Sequence, residues 1–220
     1  MIPKVKKILD LSHPLYAACP TYFGAEPPNF YLEQYFARNG FVGERMDMNA
    51  HTSTHLDVPK HVFPEGKSVE QMELTAFQGR GVVVDLRGIT GAIQRKDMES
   101  FDTKVKENDV LLLYTGWAEK YGPSREYLIE YPYIGASAAE WMVEKKIRCV
   151  MTDGISAGGT PEGTGLPPHY VLLESEIIIV EEIKLDEQIL EEEEWYVTAY
   201  PLKCVGFGGS PVRVTATVFE

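Results

Sequence analysis

The chain has 220 residues, of which 44% are hydrophobic and 25% are charged, a balance typical of a soluble globular domain with a sizeable core. Its formal net charge of −12 would repel phosphate backbones, and no basic stripe with interleaved aromatic residues offsets that repulsion. Nucleic acid is therefore not an expected partner. No apolar run is long enough to span a bilayer, so a membrane is not an expected partner either.

The N-terminus and the cysteines indicate a cytoplasmic protein. Residues 1–19 superficially resemble a lipoprotein signal, with lysines first and Cys19 after two alanines. Polar residues and a proline at 10–14 interrupt the apolar core that such a signal needs, so we expect no export signal. Cys149 and Cys204 lie far from Cys19 and form no C-x-x-C motif, which favours neither a disulfide framework nor a thiolate metal site.

The first quarter of the chain predicts a strand, a loop and a hairpin. Residues 5–11 have the pattern of a strand, and the proline-rich loop that follows makes Tyr22 and Phe23 a candidate lid. The Asn-Gly pair at 39–40 predicts a β-hairpin, because both residues tolerate positive φ. Apolar and polar residues alternate along the second hairpin strand, and the alternation puts His51 on its polar face.

The rest of the chain mixes strand and helix patterns. Ser68, followed by Gln71, is a capping-box pattern that predicts a short helix over 68–79. Short apolar runs that read as buried strands are GVVVDL, DVLLLYTGW, IRCVMTD and EIIIVEEI. Helical spacing occurs in SREYLIEY and ASAAEWMVEKK, and strand alternation in YVTAYPLKCVGFGG and SPVRVTATVF. These patterns predict a single α/β domain over residues 1–220, not a repeat protein.

The segment HTSTHLDVPKH, residues 51–61, holds three of the five histidines and an aspartate. A straight strand would put its odd-numbered histidines on one face, but His51 and His55 would then lie about 13 Å apart, too far to share one metal. A turn at 52–54 would bring both rings to one side, and Pro59 would prevent the turn from continuing as a helix. The segment must therefore bend if it forms a site.

Two imidazoles and a carboxylate are ligands of catalytic zinc or manganese sites that keep a position open for water. In that interpretation His61 is the candidate proton carrier. The alternative is that the histidines cap turns and satisfy buried carbonyl groups. His13 is assigned a structural role. The acidic run at 191–194 lacks the turn glycine of a cation-binding loop and is interpreted as solvated.

The pattern H-T-x-T-H-x-D-x-P-x-H resembles the metal-dependent cyclase family, which includes bacterial kynurenine formamidases and isatin hydrolases. The resemblance covers nearly the whole chain. Its further segments are Asp10-Leu11-Ser12, Pro20-Thr21-Tyr22, Leu113 to Trp117, Pro201-Leu202-Lys203 and Ser210 to Arg213. It implies an α/β fold, a single mixed-sheet domain of the swivelling β/β/α type.

The resemblance also assigns a site. His169 and Glu181 keep the twelve-residue interval at which the family places a histidine before a metal-binding glutamate. The implied metal ligands are His51, His55, Asp57, His169 and Glu181. The first three would hold one metal and the last two a second, with Asp57 and Glu181 bridging. By the same resemblance His61 is the general acid/base, and Tyr22 contacts the substrate. Without the resemblance, His169 is only a helix start and Glu181 a charge at a strand edge.

Three departures from the family pattern leave the substrate open. Ser53 replaces a usual glycine. Residues 153–156 match the family's D-x-x-S segment, but 157–159 are Ala-Gly-Gly where formamidases often have an aspartate and a proline. The T-G-W strand end at 115–117 also differs from the formamidases.

The expected function is hydrolysis of an amide-type C–N bond, in a formamide or lactam, by hydroxide supplied at one or two zinc ions or, alternatively, manganese. His61 would carry the proton to the leaving nitrogen. The alternatives are ester or lactone hydrolysis, or ring closure, on the same metal site, and a non-catalytic protein whose metal staples the loop. The family implies a small-molecule substrate and a homo-oligomer, either a dimer or a tetramer.

Overall fold

A computed structural model describes residues 3–220. The strands within them are β1 Val5–Asp10, β2 Asn29–Gln34, β3 Gly43–Asp47, β4 His55–Asp57, β5 Gln78–Asp85, β6 Ala92–Ile93, β7 Val110–Tyr114, β8 Tyr133–Ile134, β9 Cys149–Thr152, β10 Ile178–Glu181, β11 Trp195–Pro201 and β12 Gly209–Phe219. The α-helices are α1 Phe36–Asn39, α2 Arg95–Met98, α3 Arg125–Ile129, α4 Ala136–Glu144 and α5 Pro167–Glu174. No helix among the described residues combines the length and apolar character needed to cross a bilayer.

The main sheet has the strand order β1-β12-β11-β5-β7-β9-β10-β4. Strands β5, β7, β9 and β10 run parallel to one another, and the other neighbours are antiparallel. Strand β4 pairs with both β10 and β12, so the sheet closes into a ring. The long β12 accommodates two partners in succession, because β4 pairs with residues 209–211 and β1 with residues 215–219.

The parallel strands are buried on both faces, as their continuous apolar sequences predict. Along β7, Leu112 and Tyr114 pack in one cluster with side chains of β10, β11 and β12. Leu111 and Leu113 point the other way and pack in a second cluster with side chains of α4 and α5. The sheet therefore separates two apolar layers, one enclosed by the ring and one between the ring and the helices.

The structure confirms most of the predicted elements and the predicted mixed α/β class. The apolar runs form β5, β7, β9 and β10, the C-terminal alternation forms β11 and β12, and the two segments with helical spacing form α3 and α4. Residues 68–79 differ from the prediction, because Met72 and Glu73 are extended and divide the expected helix into two 3₁₀ turns, Val69–Gln71 and Leu74–Phe77. Gln71 still accepts the Ser68 backbone N–H at 3.0 Å, as in a capping box.

The predicted hairpin forms, but its connection is not a two-residue turn. Strands β2 and β3 pair antiparallel and are joined through α1, after which Gly40 takes a φ of 76°. Gly40 therefore ends a short helix, a second position where glycine is favoured. The predicted alternation also stops early: β3 ends at Asp47, and His51 lies in the bend that follows.

The hairpin is a sheet of its own, separate from the ring. Several of its apolar side chains are exposed, among them Tyr35, Phe36, Phe41, Val42 and Met46. A two-stranded hairpin is marginally stable by itself, and grouped exposed apolar side chains often mark an interaction surface.

The acidic run at 191–194 also lies at the surface. There Glu191 forms an ion pair with Lys7, and Glu192 forms one with Lys6.

Candidate metal centre

The histidine segment enters the site through a sharp bend at residues 51–54. Ser53 has a φ of 56°, in the left-handed region where glycine has no steric penalty, so a serine here adopts a backbone angle that favours glycine. The Asn49 Oδ1 accepts the His51 backbone N–H at 2.9 Å, which fixes the start of the bend. The rings of His51 and His55 end 5.2 Å apart between centroids, so the predicted turn is present as a bend.

Strand β4 brings its ligand candidates to β10. His55 and Asp57 point to the same face of the strand, since side chains alternate, while Leu56 between them packs inside the ring. In the β4–β10 pairing His55 is directly opposite Glu181. The His55 Nε2 lies 3.3 Å from the Glu181 Oε2 and 3.6 Å from the Asp57 Oδ1.

Helix α5 contributes His169 from its first turn. The His169 Nδ1 lies 2.9 Å from the Gly165 carbonyl, and the His55 Nδ1 lies 2.7 Å from the Ser53 carbonyl. A ring nitrogen that faces a carbonyl carries the hydrogen, so both Nε2 atoms keep a lone pair when the rings are neutral. The His169 Nε2 lies 3.1 Å from the Glu181 Oε1 and 3.7 Å from the Asp57 Oδ2.

The donor atoms fall into two groups, each with its atoms within 4.8 Å of one another. One group is His51, Asp57 and His61, and the other is His55, Asp57 and Glu181. Asp57 belongs to both groups, as a bridging carboxylate would. The grouping differs from the predicted one, because the β4–β10 register puts His55 beside Glu181 and the 3₁₀ turn Pro59–His61 brings His61 beside His51.

The environment of the carboxylates favours a cation. Burial alone would raise the pKa of Glu181, but its hydrogen bonds to His169 and His55 hold it well below its usual value. Burial also opposes ionisation of Asp57, and a 2.6 Å contact with the His51 Nδ1 lowers its pKa. Burial would lower the pKa of His55, yet the hydrogen bond to Glu181 and the nearby carboxylate charges raise it to about 9. The Asp57 Oδ2 is buried with no hydrogen-bond partner.

The D-x-x-S segment, residues 153–156, and the residue after it donate hydrogen bonds to a ligand candidate of this centre. The Ser156 hydroxyl donates to the Glu181 Oε1 at 3.0 Å, and the Ala157 backbone N–H donates to the same atom at 2.6 Å. The Asp153 carboxylate instead accepts the backbone N–H groups of residues 115–117 and the Thr115 hydroxyl. Ser156 therefore orients a ligand candidate, while Asp153 anchors the T-G-W strand end.

A cavity of about 320 Å³ opens on the centre. His51, His55, His61, His169 and Glu181 line it. Tyr22, Ile155 and Leu166 line it as well. His61 is exposed there; partial desolvation lowers its pKa, while the charge of Asp57 opposes the shift. Six of the seven predicted site residues thus line this cavity, and the seventh, Asp57, is fully buried and belongs to both donor groups.

Sequence reasoning missed two parts of the site. A Cβ at Gly209 would lie 2.4 Å from the His51 Cε1 and 2.7 Å from the Leu56 carbonyl oxygen, so only glycine fits against the histidine bend. The Gly208-Gly209 pair at the start of β12 was the available signal. Glu182 also lines the cavity, and burial raises its pKa to about 8. His13 does not line it; its buried ring stacks on Tyr121 with centroids 3.8 Å apart.

The fold and the donor cluster together define a mixed α/β protein with a histidine–carboxylate centre suited to a divalent metal. The chain belongs to the putative cyclase family, whose model matches residues 9–158. This confirms the resemblance seen in the sequence.

Known proteins match over almost the full length. The chain is 28% identical to a kynurenine formamidase of Bacillus cereus over 211 residues, 96% of this chain and 97% of the relative. A solved structure described as a potential metal-dependent hydrolase with cyclase activity has 27% identity and a TM-score of 0.82, covering 97% and 98% of the two chains. Isatin hydrolase A from Labrenzia aggregata has a TM-score of 0.86 over 97% and 94%, and its 22% identity speaks for the fold alone. The predicted cyclase-family fold is confirmed.

Proposed function

We propose that residues 1–220 form one divalent-metal-dependent hydrolase domain that opens an amide-type C–N bond of a small molecule, in an arylformamidase-like reaction. One observation carries the proposal: imidazole and carboxylate donors from β4, β10 and α5 converge at a cavity that is also lined by the apolar and aromatic side chains of Tyr22, Ile155 and Leu166. The similarity to a kynurenine formamidase supports a formamide or lactam as the substrate.

The donor set fits a divalent cation. We assign as its ligands His51, His55, Asp57, His169 and Glu181. Zinc accepts this mixture of imidazole and carboxylate in open catalytic sites, and manganese is the alternative. The buried and unpartnered Asp57 Oδ2 is an acceptor that a cation would satisfy. A metal held here supplies a Lewis acid for the substrate carbonyl and lowers the pKa of water.

The residues around the ligands orient the substrate and move the proton. His61 is exposed to the cavity, with its ring centroid 4.1 Å from that of His51 and 5.7 Å from that of His169. In this position the imidazole takes a proton from the attacking water and returns it to the leaving nitrogen. Tyr22, with Ile155 and Leu166, contacts the apolar part of the substrate and excludes water from it.

Metal analysis combined with a substrate panel tests the proposal. Protein purified without chelator is analysed by elemental mass spectrometry and then assayed with an N-formyl aromatic amine, an isatin-like lactam, an aryl ester and a lactone. We expect near-stoichiometric zinc or manganese and turnover of the formamide or the lactam. Turnover of only the ester or the lactone would contradict the proposed C–N hydrolysis and support the alternative, hydrolysis of C–O bonds on the same site. Failure to take up either metal would contradict the hydrolase mechanism and the structural-metal alternative together.

We also propose a cytoplasmic homodimer in which the exposed hairpin packs against a second copy. Its exposed apolar side chains and its separation from the ring support this assignment. Light scattering after gel filtration measures the assembly. Phe36→Asp should shift the mass toward the monomer, whereas Leu74→Asp, an equally exposed apolar position on the 3₁₀ turn Leu74–Phe77, should not. A wild-type monomer would contradict the dimer.

A further inference from the structure

Glu182 lies in the cavity for a conformational reason. Side chains alternate along a strand, so a residue directly after Glu181 would normally point to the opposite face of β10. Instead Glu182 has a φ of 53°, the strand ends at Glu181, and both side chains line the same cavity. The Glu182 N–H donates to the Gly154 carbonyl at 3.0 Å, and its carbonyl accepts the Thr54 hydroxyl at 2.6 Å. The strained backbone is therefore held from both sides.

The Glu182 carboxyl has few partners for a buried group. It is only 2% exposed, and the Tyr127 hydroxyl donates to its Oε1 at 2.9 Å. Other buried carboxyls near the cavity are better satisfied, since Glu181 faces two imidazoles and Asp153 accepts several N–H groups. Among residues 3–220, no basic side chain forms an ion pair with Glu182. A carboxyl group with one donor keeps unused acceptor capacity.

The position of this acceptor matches a particular substrate chemistry. Glu182 directly follows the ligand candidate Glu181, and its carbonyl accepts the hydroxyl of Thr54, the neighbour of His55. Its side chain lines the same cavity as His55 and Glu181, so it lies beside the metal-ligand candidates. A substrate whose carbonyl is directed at the ligand cluster places the atom attached to that carbonyl nearby. In a formamide or lactam of a primary amine this atom carries an N–H, whereas in an ester or lactone it is an oxygen without hydrogen.

We propose that Glu182 is a substrate-recognition residue that accepts a hydrogen bond from the N–H of the substrate amide and so selects such amides over esters and N-alkylated amides. The assignment rests on the proposed hydrolase function, and it deepens that function by naming the substrate class. Leaving a buried acceptor without its donor is the penalty that disfavours the analogues lacking the N–H. Tyr127 is a positioning residue, because its hydroxyl holds the Glu182 Oε1.

Equilibrium binding to the zinc-loaded protein tests the assignment without requiring turnover. The probes are 2-indolinone, a lactam with an N–H, and its N-methyl derivative. We expect the wild type to bind the N–H compound about tenfold more tightly, the scale of one hydrogen bond. Glu182→Leu should remove this preference by weakening only the N–H compound, and Glu182→Gln, which retains an acceptor oxygen, should keep most of it. Zinc content should be unchanged in both variants.

Two results would overturn the assignment. One is equal binding of the two lactams by the wild type, which is informative even if Glu182→Leu does not fold. The other is an equal loss of affinity for both lactams in Glu182→Leu, which is the result of a purely structural role. Kinetics with formanilide and N-methylformanilide keep this proposal separate from the proposed function. Metal and turnover without an N–H preference overturn only the Glu182 role, whereas absence of metal and turnover overturns the hydrolase function.

Discussion

His55 and Glu181 are directly paired across the antiparallel β4–β10 ladder, with the His55 Nε2 3.3 Å from the Glu181 Oε2. These residues are far apart in the chain, and the strand register alone makes them neighbours. Residues directly opposite in such a pair have Cβ atoms about 5 Å apart, which suits two ligands of one ion. The register of a three-residue strand thus determines whether the centre exists.

Glu181→Gln should lower the affinity for zinc by at least about tenfold, because the change removes the charge that faces two imidazoles while it preserves the side-chain size. Bound zinc after dialysis, measured by elemental mass spectrometry, gives the answer. Glu174→Gln is the matched control, since Glu174 is exposed at the end of α5. Full occupancy in Glu181→Gln would remove this residue from the ligand set.

His61→Ala should keep its metal and lower kcat by at least about a hundredfold, the scale of general acid–base catalysis. His61 is the exposed imidazole of the cavity, so its loss should leave the buried donors unchanged. Lys60→Ala is the control, because the Lys60 amine extends to the Pro64 carbonyl, 2.9 Å away. Steady-state kinetics and metal content are measured on the same samples. Unchanged turnover would exclude His61 as the proton carrier.

Zinc affinity should decrease as the pH falls below about 9. The neighbouring carboxylates raise the pKa of His55 to about 9 in the metal-free chain, so zinc must displace a proton from this ring below that pH. Each displaced proton makes the affinity fall about tenfold per pH unit. Calorimetry in buffers of different ionisation enthalpy counts the protons released. Constant affinity between about pH 6 and pH 9 would show that His55 does not bind the metal.

Gly209→Ala should weaken zinc binding and destabilise the fold by about 1–3 kcal/mol, the usual range for an overpacked site. The added Cβ would lie 2.4 Å from the His51 Cε1, and the backbone at Leu56 prevents it from moving away. Zinc titration and denaturant unfolding measure the two effects. Gly122→Ala is the control, because the closest atom to its added Cβ is 3.8 Å away. Equal behaviour of the two variants would contradict this packing argument.

His13 should make the fold sensitive to acid. Burial, helped by the charge of Lys184, lowers its pKa to about 4, whereas an unfolded histidine titrates near 6.5. Between these values the unfolded chain binds the extra proton, so stability falls as the pH falls, by a total of about 3 kcal/mol. His13→Phe, which keeps a ring against Tyr121, should flatten this decline in metal-free protein. Denaturant unfolding at several pH values measures it, and parallel curves for the two proteins would contradict the assignment.

Local patterns predicted what depends on local chemistry. Apolar runs located the buried strands, and the crowding of histidines around Asp57 located the centre. The bend at Ser53 was predicted because His51 and His55 would lie too far apart on a straight strand to bind one ion. His169 and Glu181 were reached only through family resemblance, because a helix start and a strand edge carry no signal of their own.

Long-range pairing and special backbone angles could not be predicted in this way. Strand β4 is too short to show a periodicity, and its two partners, β10 and β12, are distant in sequence. The role of Glu182 depends on a positive φ that reverses the expected alternation. The short helix in the hairpin connection was not predicted, because a glycine with positive φ, such as Gly40, is favoured both in a two-residue turn and at the end of a helix.

Strand β4 closes the sheet, because its three residues pair with β10 on one side and with β12 on the other. The same three residues include His55 and Asp57, so separation of β4 from its partner strands would also remove two ligand candidates from the centre. A cation that binds only the closed form shifts that local unfolding equilibrium by mass action. A higher concentration of bound metal therefore makes the backbone amides of β4 exchange with solvent less often. The metal centre in this way stabilises the closure of the sheet.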